Sequence, residues 1–135
     1  MAKISIEVAE QEYKRFINAL DLDEELDKDI LENEESKASL IKAIRKTRLL
    51  IEEDGTPIIN FIYSNKIRSK SNKDIKQLEN AEIKTSGELF FALANGSITA
   101  ESIAICTGLM QNQVKQLDPR DNILITSILG FFISS

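Results

Sequence analysis

The chain has 135 residues, 42% hydrophobic and 29% charged, and its 22 acidic against 17 basic side chains give a formal net charge of −5. That composition suits one folded domain with a modest core and excludes disorder of the whole chain, while the acidic balance argues against a surface built mainly to cover nucleic-acid phosphates. With no histidine and a single cysteine, Cys106, His-based triads, the usual zinc ligand sets and an internal disulfide are excluded.

Lys3 to Val8 alternates, with Ile4, Ile6 and Val8 on one side and Lys3, Ser5 and Glu7 on the other. This period predicts a short strand. A helix is expected from about Ala9 to Leu20, because Tyr13, Phe16, Ile17 and Leu20 make one apolar stripe. Asp21 to Glu35 then carries nine Asp/Glu against one lysine, Lys28. Leu22, Leu26, Ile30 and Leu31 keep a helical spacing within it, so it reads as a second helix or an acidic helical connector. A longer helix is expected over Ser36–Glu53, with Leu40, Ile41, Ile44, Thr47 and Ile51 inward. Lys37, Lys42, Arg45, Lys46 and Arg48 would form its basic outer surface. The acidic segment and the basic helix are expected to pack as a hairpin of attracting faces.

Asp54-Gly55-Thr56-Pro57 is a turn signal. Ile58, Ile59, Phe61, Ile62 and Tyr63 are β-branched or aromatic, which predicts a strand from Pro57 toward Ile67. Ser64-Asn65-Lys66 would turn it into a hairpin near Ile58–Arg68. A helix from about Lys73 to Asn80 follows, with Ile75 and Leu78 inside. Thr85 or Ser86 can cap the next helix, which carries Leu89, Phe90 and Leu93 and stops at Asn95-Gly96. Thr99 can start another, with Ile103, Ala104 and Cys106 inside and Gly108 as its stop. Met110 to Leu117 reads as a short helix with Val114 and Leu117 inward. Asp118 is an N-cap signal, Pro119 suits the first helical position, and Asp121 sits well at the positive end of the helix dipole.

The terminal run Ile123–Ile133 has eight apolar residues of eleven. It is about half the ~20 residues that a membrane helix needs. The start of the chain, with Glu7 and Glu10, lacks the apolar stretch of a signal peptide. The expected location is therefore the cytoplasm. The terminal helix is either central core, or core on one side and an interaction face on the other. On one helix, Leu124, Ile128 and Phe131 are not all expected to point inward together with Ile125, Leu129 and Phe132.

Other motifs have plain readings. Lys66, Arg68, Lys70, Lys73 and Lys76 could bind an anion or a nucleic acid, but without interleaved aromatics they read as a solvated face or as partners of the acidic segment. Asp21, Asp23, Glu24, Asp27 and Asp29 lack the glycine that a twelve-residue calcium loop needs for its turn. Cys106, between Ile105 and Thr107, reads as a small core residue. The alternating start followed by a helix faintly resembles a ribbon-helix-helix DNA-binding protein, which would place Lys3, Ser5 and Glu7 in the major groove. That is the alternative reading, a DNA-binding regulator or antitoxin.

Four segments carry a further resemblance: Ser86-Gly87-Glu88-Leu89, Ile103-Ala104-Ile105-Cys106-Thr107-Gly108-Leu109, Val114-Lys115-Gln116-Leu117-Asp118-Pro119-Arg120-Asp121, and the helix ending Leu129-Gly130-Phe131-Phe132. From Ser86 onward this order resembles the C-terminal part of tail assembly chaperones from long-tailed bacteriophages and related prophages. It covers about the last fifty residues, and the helices before Pro57 have no counterpart in it. The resemblance implies a non-enzymatic protein without cofactor or metal. Such a protein shields the aggregation-prone tape-measure protein until tube protein polymerises around it.

The expected architecture is mainly α, a single compact helical domain with a minor β-hairpin. Residues 1–55 would form a helical half and residues 56–135 a hairpin plus helical bundle. The expected partner is a tape-measure or other tail protein, not nucleic acid or membrane, with self-association left open. The expected contact residues are Phe90, Leu93, Ile128, Phe131 and Phe132, acting as apolar anchors.

Overall fold

The computed structural model describes residues 3–22, 25–65, 80–94 and 98–134. The architecture is mainly α with a small antiparallel sheet. Helix α1 spans Ile6–Ala19, and Ser5 caps it by accepting a 3.3 Å hydrogen bond from the Val8 amide. The expected strand over Lys3–Val8 is therefore absent. Ile6 to Val8 form the first helical turn, and Glu7 sits where the dipole favours an acid. The longer stripe of Ala9, Tyr13 and Phe16, all buried, overrides a short alternation that has no neighbouring strand to pair with.

Among its described residues the acidic segment holds a short helix, α2 (Lys28–Leu31), with no buried residue. Asn33 then caps α3 (Glu34–Arg45) through a 3.0 Å bond from the Ser36 amide to its Oδ1. Leu40, Ala43 and Ile44 form the buried face of α3. The helix ends well short of the expected Glu53, because Thr47 turns to φ +59°. The Asn60 side chain donates a 2.7 Å bond to the Thr47 carbonyl and holds that turn.

The chain continues into β1 (Leu49–Ile51), reverses, and returns as β2 (Pro57–Ile59). Leu49 pairs with Ile59 and Ile51 with Pro57. The Asp54-Gly55-Thr56 signal does mark a turn, but one that joins Pro57–Ile59 to the strand before it. The hairpin expected near Ile58–Arg68 is corrected accordingly. After β2 the backbone leaves strand geometry, and residues 62–65 make a helical turn in which Asn65 donates to the Phe61 carbonyl at 3.0 Å. The expected strand through Tyr63 and the turn at Ser64-Asn65 fall on that helical turn. The expected helix at Lys73–Asn80, the basic run Lys66–Lys76 and the Asn95-Gly96 stop lie wholly or almost wholly outside the described residues. The third strand, β3 (Ala81–Glu82), pairs antiparallel with the other edge of β2. The sheet thus straddles the boundary expected between residues 55 and 56.

The cap and stop signals at Ser86, Thr99, Gly108 and Asp118 are met. Ser86 Oγ accepts from the Leu89 amide at 3.0 Å and starts α4 (Gly87–Ala94). Thr99 and Ser102 form a reciprocal capping box for α5 (Ala100–Thr107), which Gly108 ends at φ +76°. Helix α6 (Gln111–Lys115) turns Val114 inward, with Leu117 buried just beyond it. Asp118 Oδ1 accepts from the Arg120 amide at 2.8 Å at the head of α7 (Pro119–Ser134).

Helix α7 corrects the expectation that Leu124, Ile128 and Phe131 would not all point inward with Ile125, Leu129 and Phe132. Leu124, Ile125, Ile128, Leu129, Phe131 and Phe132 are all buried. Tyr13 and Phe16 of α1 meet the Phe131 ring edge-on, at centroid distances of 6.3 and 5.7 Å. Phe16 also reaches Phe132 at 6.2 Å. Ile123 and Ile133 are the large apolar side chains of α7 that stay exposed. One buried cluster runs from Ala9 to Phe132 and draws on both halves of the chain.

Candidate interaction surfaces

The five expected contact residues separate into two groups. Ile128 and Phe131 are 0% exposed and Phe132 4%, so all three are core residues and present no surface. The α1 aromatics already pack against Phe131 and Phe132. Phe90, 43% exposed, remains at the surface, and Leu93 is partly buried against the core. Beside Phe90 stands Phe91, 73% exposed, which sequence reasoning passed over. The signal was present: at about 100° per residue, a helix that buries Leu89 must turn Phe91 almost the opposite way. Glu88 is the one charged side chain on α4, so this short helix offers an apolar outer face.

A second surface lies on the first half. The outer face of α3 and the start of the chain enclose a groove of about 470 Å³. Ile6, Ala38 and Ile41 floor it, and Lys3, Lys37, Lys42, Arg45 and Lys46 surround it, with Glu34 at the far end. Ile4 shapes it by donating its amide to the Arg45 carbonyl at 3.2 Å and accepting from Arg45 Nε at 3.0 Å. Lys37 Nζ stands 5.7 Å from the Tyr13 ring centre. None of the five cations joins an ion pair among the described residues. The expected basic face of this helix is thus present with one correction, because Arg48 turns inward.

Arg48 belongs to a polar clasp at the head of α7. Ser64 Oγ donates to Asp121 Oδ2 at 2.6 Å and accepts from the Asp118 amide at 2.9 Å. The Ser64 amide adds a 2.9 Å bond to the same carboxylate oxygen. Arg48 lies 3.6 Å from Asp121 Oδ1 and donates to the Arg120 carbonyl at 2.9 Å. Arg120 holds Asp118 through two bonds of 2.9 and 3.0 Å. The Tyr63 ring lies under both guanidinium groups, 4.6 Å from Arg48 and 3.6 Å from Arg120. These bonds hold the Asp118 carboxyl below its ordinary range, with the Arg120 hydrogen bond as the largest cause. Ser64 is hydrogen-bonded in both directions, so the cluster reads as a fastener between the 62–65 turn and α7, not as a nucleophilic site. Sequence reasoning assigned Asp121 to the helix dipole and had no signal for its Ser64 partner.

Cys106 is buried, and burial pushes its thiol up to about 12. At neutral pH it stays protonated and unreactive. Among the described residues no group of three or more His, Cys, Asp or Glu side chains could hold a metal ion, and no helix is long and apolar enough to cross a membrane. No family model, curated protein or solved structure matches the chain.

Proposed function

We propose that this chain is a non-catalytic protein-binding chaperone of the phage tail-assembly kind, acting in the host cytoplasm and shielding an apolar segment of a tape-measure protein. The observation that carries the proposal is the adjacent exposed pair Phe90 and Phe91 on α4, inside the region that resembles those chaperones. Two aromatic side chains on a helix capped by Ser86 are suited to an apolar stripe on a partner helix. Each would contribute roughly 1.5–3 kcal/mol if fully buried, which supports an affinity low enough for later displacement. A net charge of −5 helps to keep the complex dispersed.

Co-expression with a tape-measure protein tests this. The wild-type chain should hold the partner in the soluble fraction and co-purify with it. A Phe90→Ser, Phe91→Ser variant should melt within a few degrees of wild type, yet lose about 100-fold in affinity. A tape measure that stays insoluble and unbound beside the wild-type chain would sink the proposal.

A further inference from the structure

We propose that the groove on α3 is a self-association site, closed by the same face of a second copy lying antiparallel. This surface is separate from α4, so the inference stands apart from the tape-measure reading.

The argument rests on how charge and size are distributed along one helix face. From its first residue to its last, the outer stripe of α3 reads Glu34, Ala38, Ile41, Arg45. These lie four, three and four residues apart, which keeps them on one side of the helix. The stripe is acidic at one end, basic at the other and apolar between. A two-fold axis across its middle sets Glu34 of each copy opposite Arg45 of the other and Ala38 opposite Ile41. The small Ala38 leaves room for the larger Ile41, so the two helices can approach at ordinary packing distance. The acidic segment before α3, including Asp29 of α2 and Glu32 just after it, would lie toward Lys46 and Lys3 of the other copy. Two symmetry-related pairings oppose association: Lys37 of each copy falls opposite Lys42 of the other. The stripe runs only about 18 Å, so the contact is small and the association weak and reversible.

The mismatch makes the idea testable by charge changes of opposite effect. Sedimentation equilibrium at low ionic strength should show a reversible monomer–dimer exchange that weakens with added salt. Glu34→Arg places arginine opposite Arg45 and should weaken the dimer by roughly 10-fold. Lys37→Glu replaces repulsion against Lys42 with attraction and should tighten it by roughly 10-fold; a gain of association is not produced by unfolding. Circular dichroism confirms that both variants are folded. An acidic amphipathic peptide as occupant predicts the reverse order, with Glu34→Arg binding it better and Lys37→Glu worse. That reversed pattern, a wild-type chain that remains monomeric up to about 1 mM, or a dimer indifferent to both changes overturns the proposal.

Discussion

Gly55 and Asp118 show how much a single residue settles here. Gly55 sits at φ +90°, buried in the β1–β2 turn. A side chain there would run into Ala19 Cβ and stand 3.0 Å from the Arg15 carbonyl oxygen. Both the left-handed backbone and the close approach to the end of α1 therefore require glycine. Gly55→Ala should lower the unfolding free energy by roughly 1–3 kcal/mol, read by chemical denaturation. Asp118 makes a pH-dependent contribution. Its carboxyl is held below the ordinary value because Arg120 binds the charged form. The stabilisation is therefore complete above the unfolded value of about 3.9 and is lost as pH falls through the lower folded value. Denaturation midpoints measured across the acid range should decline below about pH 4. Asp118→Asn, which keeps an acceptor for the Arg120 amide, should decline less steeply there.

At the scale of elements, isolated caps and stops were legible, whereas the identity of short apolar runs was not. Ser86, Thr99, Gly108 and the Asp118-Pro119 pair act within one helical turn, so their chemistry is complete in a few consecutive residues. Leu49-Leu50-Ile51 could continue a helix or make a strand, and it becomes β1 because β2 lies alongside and Thr47 breaks the helix. The same ambiguity misassigned Lys3–Val8 in the other direction. Helix α7 carries the largest consequence of packing. With Phe131 enclosed by Tyr13 and Phe16, Phe131→Ala should destabilise the fold by about 3–5 kcal/mol. Phe131→Asp should prevent folding, so it is no probe of partner binding. A Phe131→Ala variant within 1 kcal/mol of wild type, a threshold of roughly twice the thermal energy, would show that Phe131 is not enclosed as described.

Across the whole molecule, the two surfaces are carried by different halves and should act independently. Phe90 and Phe91 stand on α4, while the groove belongs to α1 and α3. Changes at sites with no shared contacts add within a few tenths of a kcal/mol. Phe90→Ser with Phe91→Ser should therefore leave the monomer–dimer equilibrium unmoved, and Glu34→Arg should leave partner capture unmoved. Titrations of both variants against each readout check this, and cross-effects of several-fold would mean that the surfaces communicate or overlap. The core that joins the halves runs unbroken from α1 to α7, so the chain presents these faces on one scaffold.

By itself the sequence determined the class of fold, the capped helices of the second half, the turn at Asp54-Gly55-Thr56 and the inert, buried character of Cys106. Each follows from composition or from chemistry confined to neighbouring residues. Only the tertiary structure decided that α7 buries Leu124, Ile128 and Phe131 together with Ile125, Leu129 and Phe132, that Arg48 turns inward to Asp121, that Phe91 stands exposed on α4, and that α3 keeps a groove. The physical reason is one of magnitude. Local propensities differ by tenths of a kcal/mol per residue, while burying one large side chain contributes several times more. Where the two compete, residues distant in sequence decide the outcome, as Phe16 does for Phe131.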